Sequence, residues 1–173
     1  MKFINEMLRG KNMEHSKDVI KNQLESIKNQ IREAEEKSAR KAGSVKLEAV
    51  SKFHPLQAVL DAIDLGQFLF GENRVQEACE KFEQVKEMQK NFQLHIIGSL
   101  QRNKVKNAVK IADCIESVDR LELLEEIEKQ CEKIGKKINV FFELHTGEDS
   151  KSGFENVDEL QKALDFCAEM KNS

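Results

Sequence analysis

The positions of apolar residues follow two patterns, one typical of helices and one typical of buried strands. Apolar residues spaced by three and four share one face of a helix. In the first helical segment, from about Lys17 to Lys41, these residues are Ile20, Leu24, Ile27 and Ile31. Short apolar runs bounded by polar residues or glycine predict strands instead. Five such runs occur: Val45–Ser51, Phe68–Phe70, Leu94–Gly98, Cys114–Val118 and Ile138–Leu144.

Each predicted strand is followed by a predicted helix. Two capping-box pairs, Asn73 with Gln76 and Asp119 with Glu122, predict helix starts, and Gly135 predicts the end of the fifth helix. The repeated order of strand and helix favours parallel strands joined by right-handed crossovers. Two architectures have this order, an open doubly wound sheet and part of a (β/α)₈ barrel. No G-x-G-x-x-G follows the first strand, so a dinucleotide-binding version is not supported.

The same spacing predicts which helical residues are buried. In the third helix we expect a buried face formed by Val75, Ala78, Phe82 and Val85. In the last helix, Val157–Met170, the corresponding residues are Leu160, Leu164 and Ala168. Helices with one apolar face each are expected to cover the outside of the sheet.

Composition restricts the classes of function. The chain has 173 residues, of which 39% are hydrophobic and 34% charged, as in an ordinary globular domain. Its net charge of −3 argues against a dedicated nucleic-acid binder. No apolar run is long enough for a membrane span or a secretory signal. We therefore expect a cytoplasmic protein that binds neither nucleic acid nor membrane.

The four cysteines are separated widely, at Cys79, Cys114, Cys131 and Cys167, with no C-x-x-C pair. Reduced thiols are therefore expected, rather than a zinc site or a disulfide framework. The basic residues Arg102, Lys104, Lys106 and Lys110 form one local run. The run fits either the solvated face of a helix or a patch that faces a ligand.

Lys52 is the candidate for covalent chemistry. In both parallel architectures, ligands bind at the carboxyl ends of the strands, and Lys52 follows the first strand. Partial burial would lower the pKa of its amine and make it a nucleophile toward an aldehyde. The alternative is a surface lysine that begins a loop.

Five sequence blocks occur in order along the chain. They are Val50-Ser51-Lys52-x-x-Pro55, Phe70-Gly71-Glu72-Asn73-x-Val75-Gln76-Glu77, His95-x-Ile97-Gly98-x-Leu100-Gln101-x-Asn103-Lys104, Ser117-Val118-Asp119 and Ser150-Lys151-Ser152-Gly153. In these blocks the chain resembles the pyridoxal 5′-phosphate (PLP) homeostasis protein family, which is related to the N-terminal domain of alanine racemase. The resemblance covers about residues 17 to 170 and implies a PLP-binding barrel of the TIM type, with about five of its eight βα units present.

The resemblance also implies roles for individual residues. Lys52 would hold PLP as a Schiff base, and the other residues implied to be near the cofactor are Asn73, His95, Gly98 and Ser117. Lys151 matches a further lysine of the family and would contact a phosphorylated ligand. Each role has a simpler alternative: Asn73 can cap a helix, His95 can fill the barrel, and Lys151 can be an ordinary loop charge.

The chain departs from the family pattern at two points. His54 stands where the family often has a second lysine, so a transfer or allosteric role for that lysine is not implied here. The family also continues through three further βα units, which grip the phosphate, so we expect this chain to be cut short. We predict two segments, an N-terminal extension at residues 1–16, with Met13 as an alternative start, and a partial barrel domain at residues 17–173.

Three functions remain open at this point. The first is a non-enzymatic PLP carrier or regulator of vitamin B6 pools. The second is a PLP-dependent racemase or decarboxylase that acts on amino acids. Racemisation needs a second acid/base on the opposite side of the cofactor ring, and the alanine racemases use a tyrosine, whereas this chain has none. The third is an inactive fragment that needs a complementary C-terminal piece. The oligomeric state is not predicted, but open sheet edges favour association.

Overall fold

The computed structural model describes residues 16–147 and 152–170. In this part of the chain there are six α-helices: α1 (Lys17–Lys37), α2 (Leu56–Asp64), α3 (Val75–Glu87), α4 (Val105–Ile111), α5 (Leu121–Ile134) and α6 (Val157–Glu169). The strands are β1 (Ala49–Val50), β2 (Leu69–Glu72), β3 (Gln93–Ile96), β4 (Cys114–Val118) and β5 (Asn139–Phe142). A short 3₁₀ turn, Arg102–Lys104, precedes α4.

The strands form one parallel sheet in the order β1-β2-β3-β4-β5. A doubly wound sheet reverses its strand order at a switch point, whereas a (β/α) barrel keeps each strand beside its neighbour in the chain. The sequential order therefore selects the barrel type, and the predicted parallel (β/α) architecture is confirmed. Five strands do not close an eight-stranded barrel. Within the described residues, β1 and β5 are accordingly the two edges of the sheet.

The two faces of the sheet have different neighbours. In β2, the ring of Phe70 lies 5.6 Å from that of Phe82 in α3, and Glu72 forms an ion pair with Lys81 in the same helix. Because side chains alternate along a strand, Gly71 between them belongs to the opposite face. We call the side covered by helices the outer face and the side of Gly71 the inner face, which would line the barrel.

The helices bury the apolar core on the outer face. The predicted buried face of α3 is confirmed at all four positions, Val75, Ala78, Phe82 and Val85. The prediction for α6 is wrong at two positions, since Leu164 is 42% exposed and Ala168 is exposed, while Ala163 is fully buried. The α6 sequence carries two overlapping apolar stripes, and packing against α5 selects the one that contains Ala163.

The predicted helix caps are wrong in two places. The N-caps of α3 and α5 are Arg74 and Arg120, and neither forms a side-chain cap. Asp119 instead pairs with Arg120, and the Asn73 backbone packs against Gly98. Gly135 does end α5, in the left-handed conformation.

Two further boundaries differ from the predictions. Helix α1 ends at Lys37, not near Lys41, and Gly43 lies in the following loop. The first strand pairs only at Ala49 and Val50, because it lies at the edge of the sheet and has a single neighbour. All four cysteines are free thiols, as expected. Among the described helices, none is long and apolar enough to span a bilayer.

Candidate functional site

Four of the predicted site residues follow consecutive strands at the carboxyl end of the sheet. Val50 is paired with Gly71, and Lys52 and Asn73 come two residues after them. The β3–β4 pairing of His95 with Cys114 likewise places Gly98 level with Ser117. The pairing of Gly71 with His95 sets Asn73 level with Ile97, so Gly98 and Ser117 lie one residue further along than Lys52 and Asn73. We call these four residues, which follow β1 to β4 at the edge where barrels bind their ligands, the row.

Lys52 lies in the turn that leaves β1. Its side chain is partly exposed. The next residue, Phe53, has a φ of 65°, in the left-handed region that bulky residues rarely adopt. Among the described residues, none forms a hydrogen bond or an ion pair with the Lys52 ammonium group. The amine is therefore left available to a ligand.

Asn73 and Gly98 touch through their backbones. A Cβ atom added to Gly98 would lie 2.4 Å from the Asn73 carbonyl oxygen and 2.8 Å from its Cα. Only glycine allows so close an approach, which gives Gly98 a packing role that the resemblance did not imply. The Asn73 side chain has a buried Oδ1 atom with no hydrogen-bond partner in the described structure. Such orphaned acceptors are rare in folded proteins, and this one lies in the row that contains Lys52.

Ser117 is buried, and its hydroxyl donates a hydrogen bond to the Gly98 carbonyl at 2.6 Å. This bond ties β4 to the loop after β3 and keeps the Gly98 backbone against Asn73. Because its hydroxyl already forms a hydrogen bond within the protein, Ser117 supports the other residues of the row.

His95 lies deeper than the other predicted residues. It is paired with Gly71, two residues before Asn73, so it sits roughly 7 Å further down the sheet. Its Nδ1 atom is 2.6 Å from Glu116 Oε1 and 3.4 Å from Glu48 Oε2. The residue does not simply fill the barrel, because it links two carboxylates on the inner face.

Glu48 and Glu116 were missed by the sequence reasoning. The signal was a glutamate within each of two predicted strand runs, VKLEAVS and CIESV. Burial raises the pKa of Glu48, and the nearby Glu116 charge raises it further, while His95 opposes both effects. The cluster is therefore a charge network in the barrel interior, in which one carboxyl holds its proton more tightly than usual.

This cluster also contains potential metal ligands. Ligand atoms of His95, Cys114 and Glu116 lie within 4.8 Å of one another. However, burial raises the pKa of the Cys114 thiol to about 12, and His95 is already hydrogen-bonded to Glu116. The described cluster is therefore a His95–Glu116 hydrogen bond beside a Cys114 thiol that holds its proton tightly. The last predicted residue, Lys151, lies outside the described residues.

Comparison with known proteins identifies the family of the chain. A profile described as the alanine racemase N-terminal domain matches residues 23–173. The chain belongs to this family. The resemblance based on the five sequence blocks is confirmed, and so is the barrel type deduced from the strand order.

Curated members similar to the chain carry the name pyridoxal phosphate homeostasis protein. The relative from Pasteurella multocida is 32% identical over 154 residues, which cover 88% of this chain and 64% of the relative. The Escherichia coli K12 relative is 33% identical over 149 residues, covering 84% and 64%. The chain therefore spans less than two thirds of the length of these relatives.

Several solved structures superpose closely on the chain. A protein of Bifidobacterium adolescentis has a TM-score of 0.82 and 30% identity, covering 90% of this chain and 66% of that one. PipY of Synechococcus elongatus, solved with PLP bound, has a TM-score of 0.73 and 29% identity, covering 88% and 66%. An alanine racemase of Clostridium difficile, at 14% identity and a TM-score of 0.58, shares the fold.

The row at the carboxyl end of the sheet fits the aldehyde and the ring of PLP. An aldehyde needs a free amine, and within residues 16–147 and 152–170 no group binds that of Lys52. A ring with polar substituents needs buried hydrogen-bonding groups, and the orphaned Asn73 Oδ1 atom is one. Both features are observed in this chain and do not depend on the resemblance.

Proposed function

We propose that this chain binds PLP at the carboxyl end of the sheet, with Lys52 as the point of attachment, and serves in PLP homeostasis. The observation that carries the proposal is the Lys52 amine, which has no partner among the described residues, in the same row as the similarly unpartnered Asn73 oxygen. When bound, PLP supplies an aldehyde that condenses with a primary amine and releases water. Family membership and the PLP-bound PipY structure support this assignment.

The remaining residues have distinct parts in the proposed site. Asn73 Oδ1 would accept a hydrogen bond from the ligand. Gly98 and Ser117 hold the Asn73 backbone in place through the close contact and the hydrogen bond described above. His95 lies below the row, where Glu48 and Glu116 fix its ring. The role of Lys151, as a contact to a phosphorylated ligand, stays a prediction.

We further propose that the chain has no substantial turnover of its own. The curated relatives are named for homeostasis and not for a reaction. The sequence contains no tyrosine, the residue type that alanine racemases use as second acid/base. The cytoplasmic location and the lack of nucleic-acid partners remain predictions from composition.

Borohydride trapping tests the proposal. The purified chain is mixed with PLP and reduced, and the modified lysines are identified by peptide mapping. We expect the label to concentrate at Lys52 and total labelling to fall at least about tenfold in Lys52→Ala. Lys46→Ala removes an exposed lysine six residues earlier and should leave labelling unchanged.

Label spread evenly over the surface lysines would contradict the proposal. The enzymatic alternative is checked on the same proteins with alanine and other amino acids as substrates. Racemisation or decarboxylation above the level of Lys52→Ala would replace the homeostasis role by an enzymatic one.

A further inference from the structure

A buried ion pair lies directly behind the Lys52 turn, on the outer face of the sheet. Glu72, at the end of β2, is fully buried, and Lys81 of α3 is 7% exposed. Their Oε1 and Nζ atoms are 2.7 Å apart. Burying two charges is unfavourable unless further hydrogen bonds satisfy them. The hydrogen-bond partners of Glu72 and Lys81 therefore show which part of the chain the buried pair holds in place.

Both charges bind the residue that precedes Lys52. Lys81 Nζ donates to the Ser51 carbonyl at 2.8 Å. The Ser51 hydroxyl donates to Glu72 Oε1 at 2.7 Å. Ser51 is thus held through its backbone and its side chain, and it is itself buried.

A third charged residue binds the residue that follows Lys52. Glu77 Oε1 accepts from the Phe53 backbone N–H at 2.9 Å and lies 3.3 Å from Lys81 Nζ. Burial acts to raise the pKa of Glu77, but the Phe53 N–H and the Lys81 charge together lower it. Phe53 has the unfavourable φ of 65°, a conformation that persists only where its surroundings enforce it. The bond to Glu77 is one such constraint.

We propose that Glu72, Glu77 and Lys81 are positioning residues that hold the turn on both sides of Lys52 and so direct its amine into the site. None of the three forms a hydrogen bond or ion pair with the Lys52 ammonium group, so they act through Ser51 and the Phe53 backbone. Through this connection α3, on the outer face, controls a reactive group on the inner face. The consequence for PLP attachment rests on the proposed function, whereas the control of the turn does not.

The first test compares two glutamates of α3. Glu77→Ala removes the acceptor of the Phe53 N–H, and Glu80→Ala removes an exposed glutamate of the same helix. Two quantities are measured: the hydrogen-exchange rate of the Phe53 amide and the rate constant of PLP attachment at Lys52. In Glu77→Ala we expect about tenfold faster exchange and about tenfold slower attachment, because a charge-assisted hydrogen bond is lost. Glu80→Ala should match the wild type in both rates. Glu77→Gln keeps an acceptor oxygen, so its exchange and attachment rates should return most of the way to the wild-type values.

The second test removes the buried pair. Lys81→Met alone leaves the Glu72 charge buried without a partner and is expected to unfold the protein. The double variant Glu72→Gln/Lys81→Met removes both charges and is used instead, with its unfolding midpoint measured in parallel. A folded double variant should show the same slower attachment at Lys52, with labelling of Lys46 unchanged.

The results of these tests distinguish the positioning role of Glu72, Glu77 and Lys81 from the proposed PLP-binding function. Unchanged exchange and unchanged attachment in Glu77→Ala would overturn the positioning role. So would a lower unfolding midpoint with normal attachment at Lys52, since that result describes a purely structural network. If the wild type fails to attach PLP at Lys52, the proposed function fails. Faster Phe53 exchange in Glu77→Ala alone would then still establish control of the turn.

Discussion

At the scale of single residues, Glu48 illustrates how the inner face differs from the outer one. Its Oε1 atom is buried and has no hydrogen-bond partner among the described residues, while its Oε2 atom is 3.4 Å from His95. Burial and the neighbouring Glu116 raise its pKa, more than His95 lowers it. The folded state therefore binds the Glu48 proton more tightly than the unfolded state does. Ionisation of this carboxyl works against folding.

The first prediction concerns Glu48→Gln. At neutral pH the variant should unfold at a higher temperature than the wild type, because it removes a carboxylate whose ionised form is disfavoured in the folded protein. This gain in unfolding temperature should shrink as the pH falls through the raised pKa of Glu48 in the folded protein. It should become constant below the ordinary glutamate value of 4.5, where Glu48 is protonated in the folded and the unfolded protein alike. Thermal unfolding monitored by circular dichroism at several pH values checks this. The exposed Glu25→Gln is the control. A loss of stability at neutral pH would contradict the prediction.

At the scale of elements, one glutamate joins α1 to the chain that leads into β1. The Glu35 carboxylate accepts hydrogen bonds from the backbone N–H groups of Gly43 and Val45, at 2.9 and 2.7 Å, and from the Ser44 hydroxyl at 3.3 Å. The bonds from Val45 and Gly43 are the main reason that the pKa of Glu35 is lowered. The loop after α1 is thus organised by the charged form of a single side chain.

The second prediction is that Glu35→Gln lowers the stability of the protein at neutral pH, whereas Glu48→Gln raises it. An amide cannot accept at its nitrogen, so one of the backbone bonds is lost. The stabilisation by Glu35 is fully present above its ordinary pKa of 4.5 and is lost as the pH falls through the lowered folded value. The wild type should therefore be more stable than the variant at neutral pH, and this difference should vanish in acid. Unfolding midpoints across the pH range check it, with the exposed Glu36→Gln as the matched control.

At the scale of the whole molecule, both edges of the described sheet carry exposed apolar side chains. Phe141 of β5 is 55% exposed and Val50 of β1 is 45% exposed. In the described structure each of these strands has a neighbour on one side only. Exposed apolar side chains next to unpaired strand edges favour association between chains.

The third prediction compares two neighbouring phenylalanines. Phe141→Glu should reduce concentration-dependent association and change the free energy of unfolding by no more than about 0.5 kcal/mol, as expected for an exposed position. Phe142 packs against the core, with its ring 5.9 Å from that of Phe154. Phe142→Ala should therefore cost about 3 kcal/mol and should not reduce association. Sedimentation velocity and denaturant titration measure the two effects. A wild type that is monomeric at every concentration would refute the prediction about association.

The sequence by itself determined the number, type and order of the elements. Helical spacing located the buried face of α3, and a short run rich in apolar residues located β4 from Cys114 to Val118. It also placed Lys52 at a strand end. These features depend on residues close together in the chain, where the period of a helix or strand relates spacing directly to the exposed side. The five motif blocks then led to the correct family, which periodicity alone does not distinguish.

Tertiary structure decided what depends on residues far apart in the chain. The order of strands selected a barrel over a doubly wound sheet, and packing against α5 selected the buried stripe of α6. The partners of His95, one just before β1 and one on β4, were absent from any local pattern. So were the links from α3 to both sides of Lys52. Ion pairs and close backbone contacts between separate elements depend on strand register and helix packing, which are set only when the chain has folded. The sequence alone thus pointed to Lys52 as the candidate lysine, and the folded structure showed which residues hold Ser51 and Phe53 on either side of it.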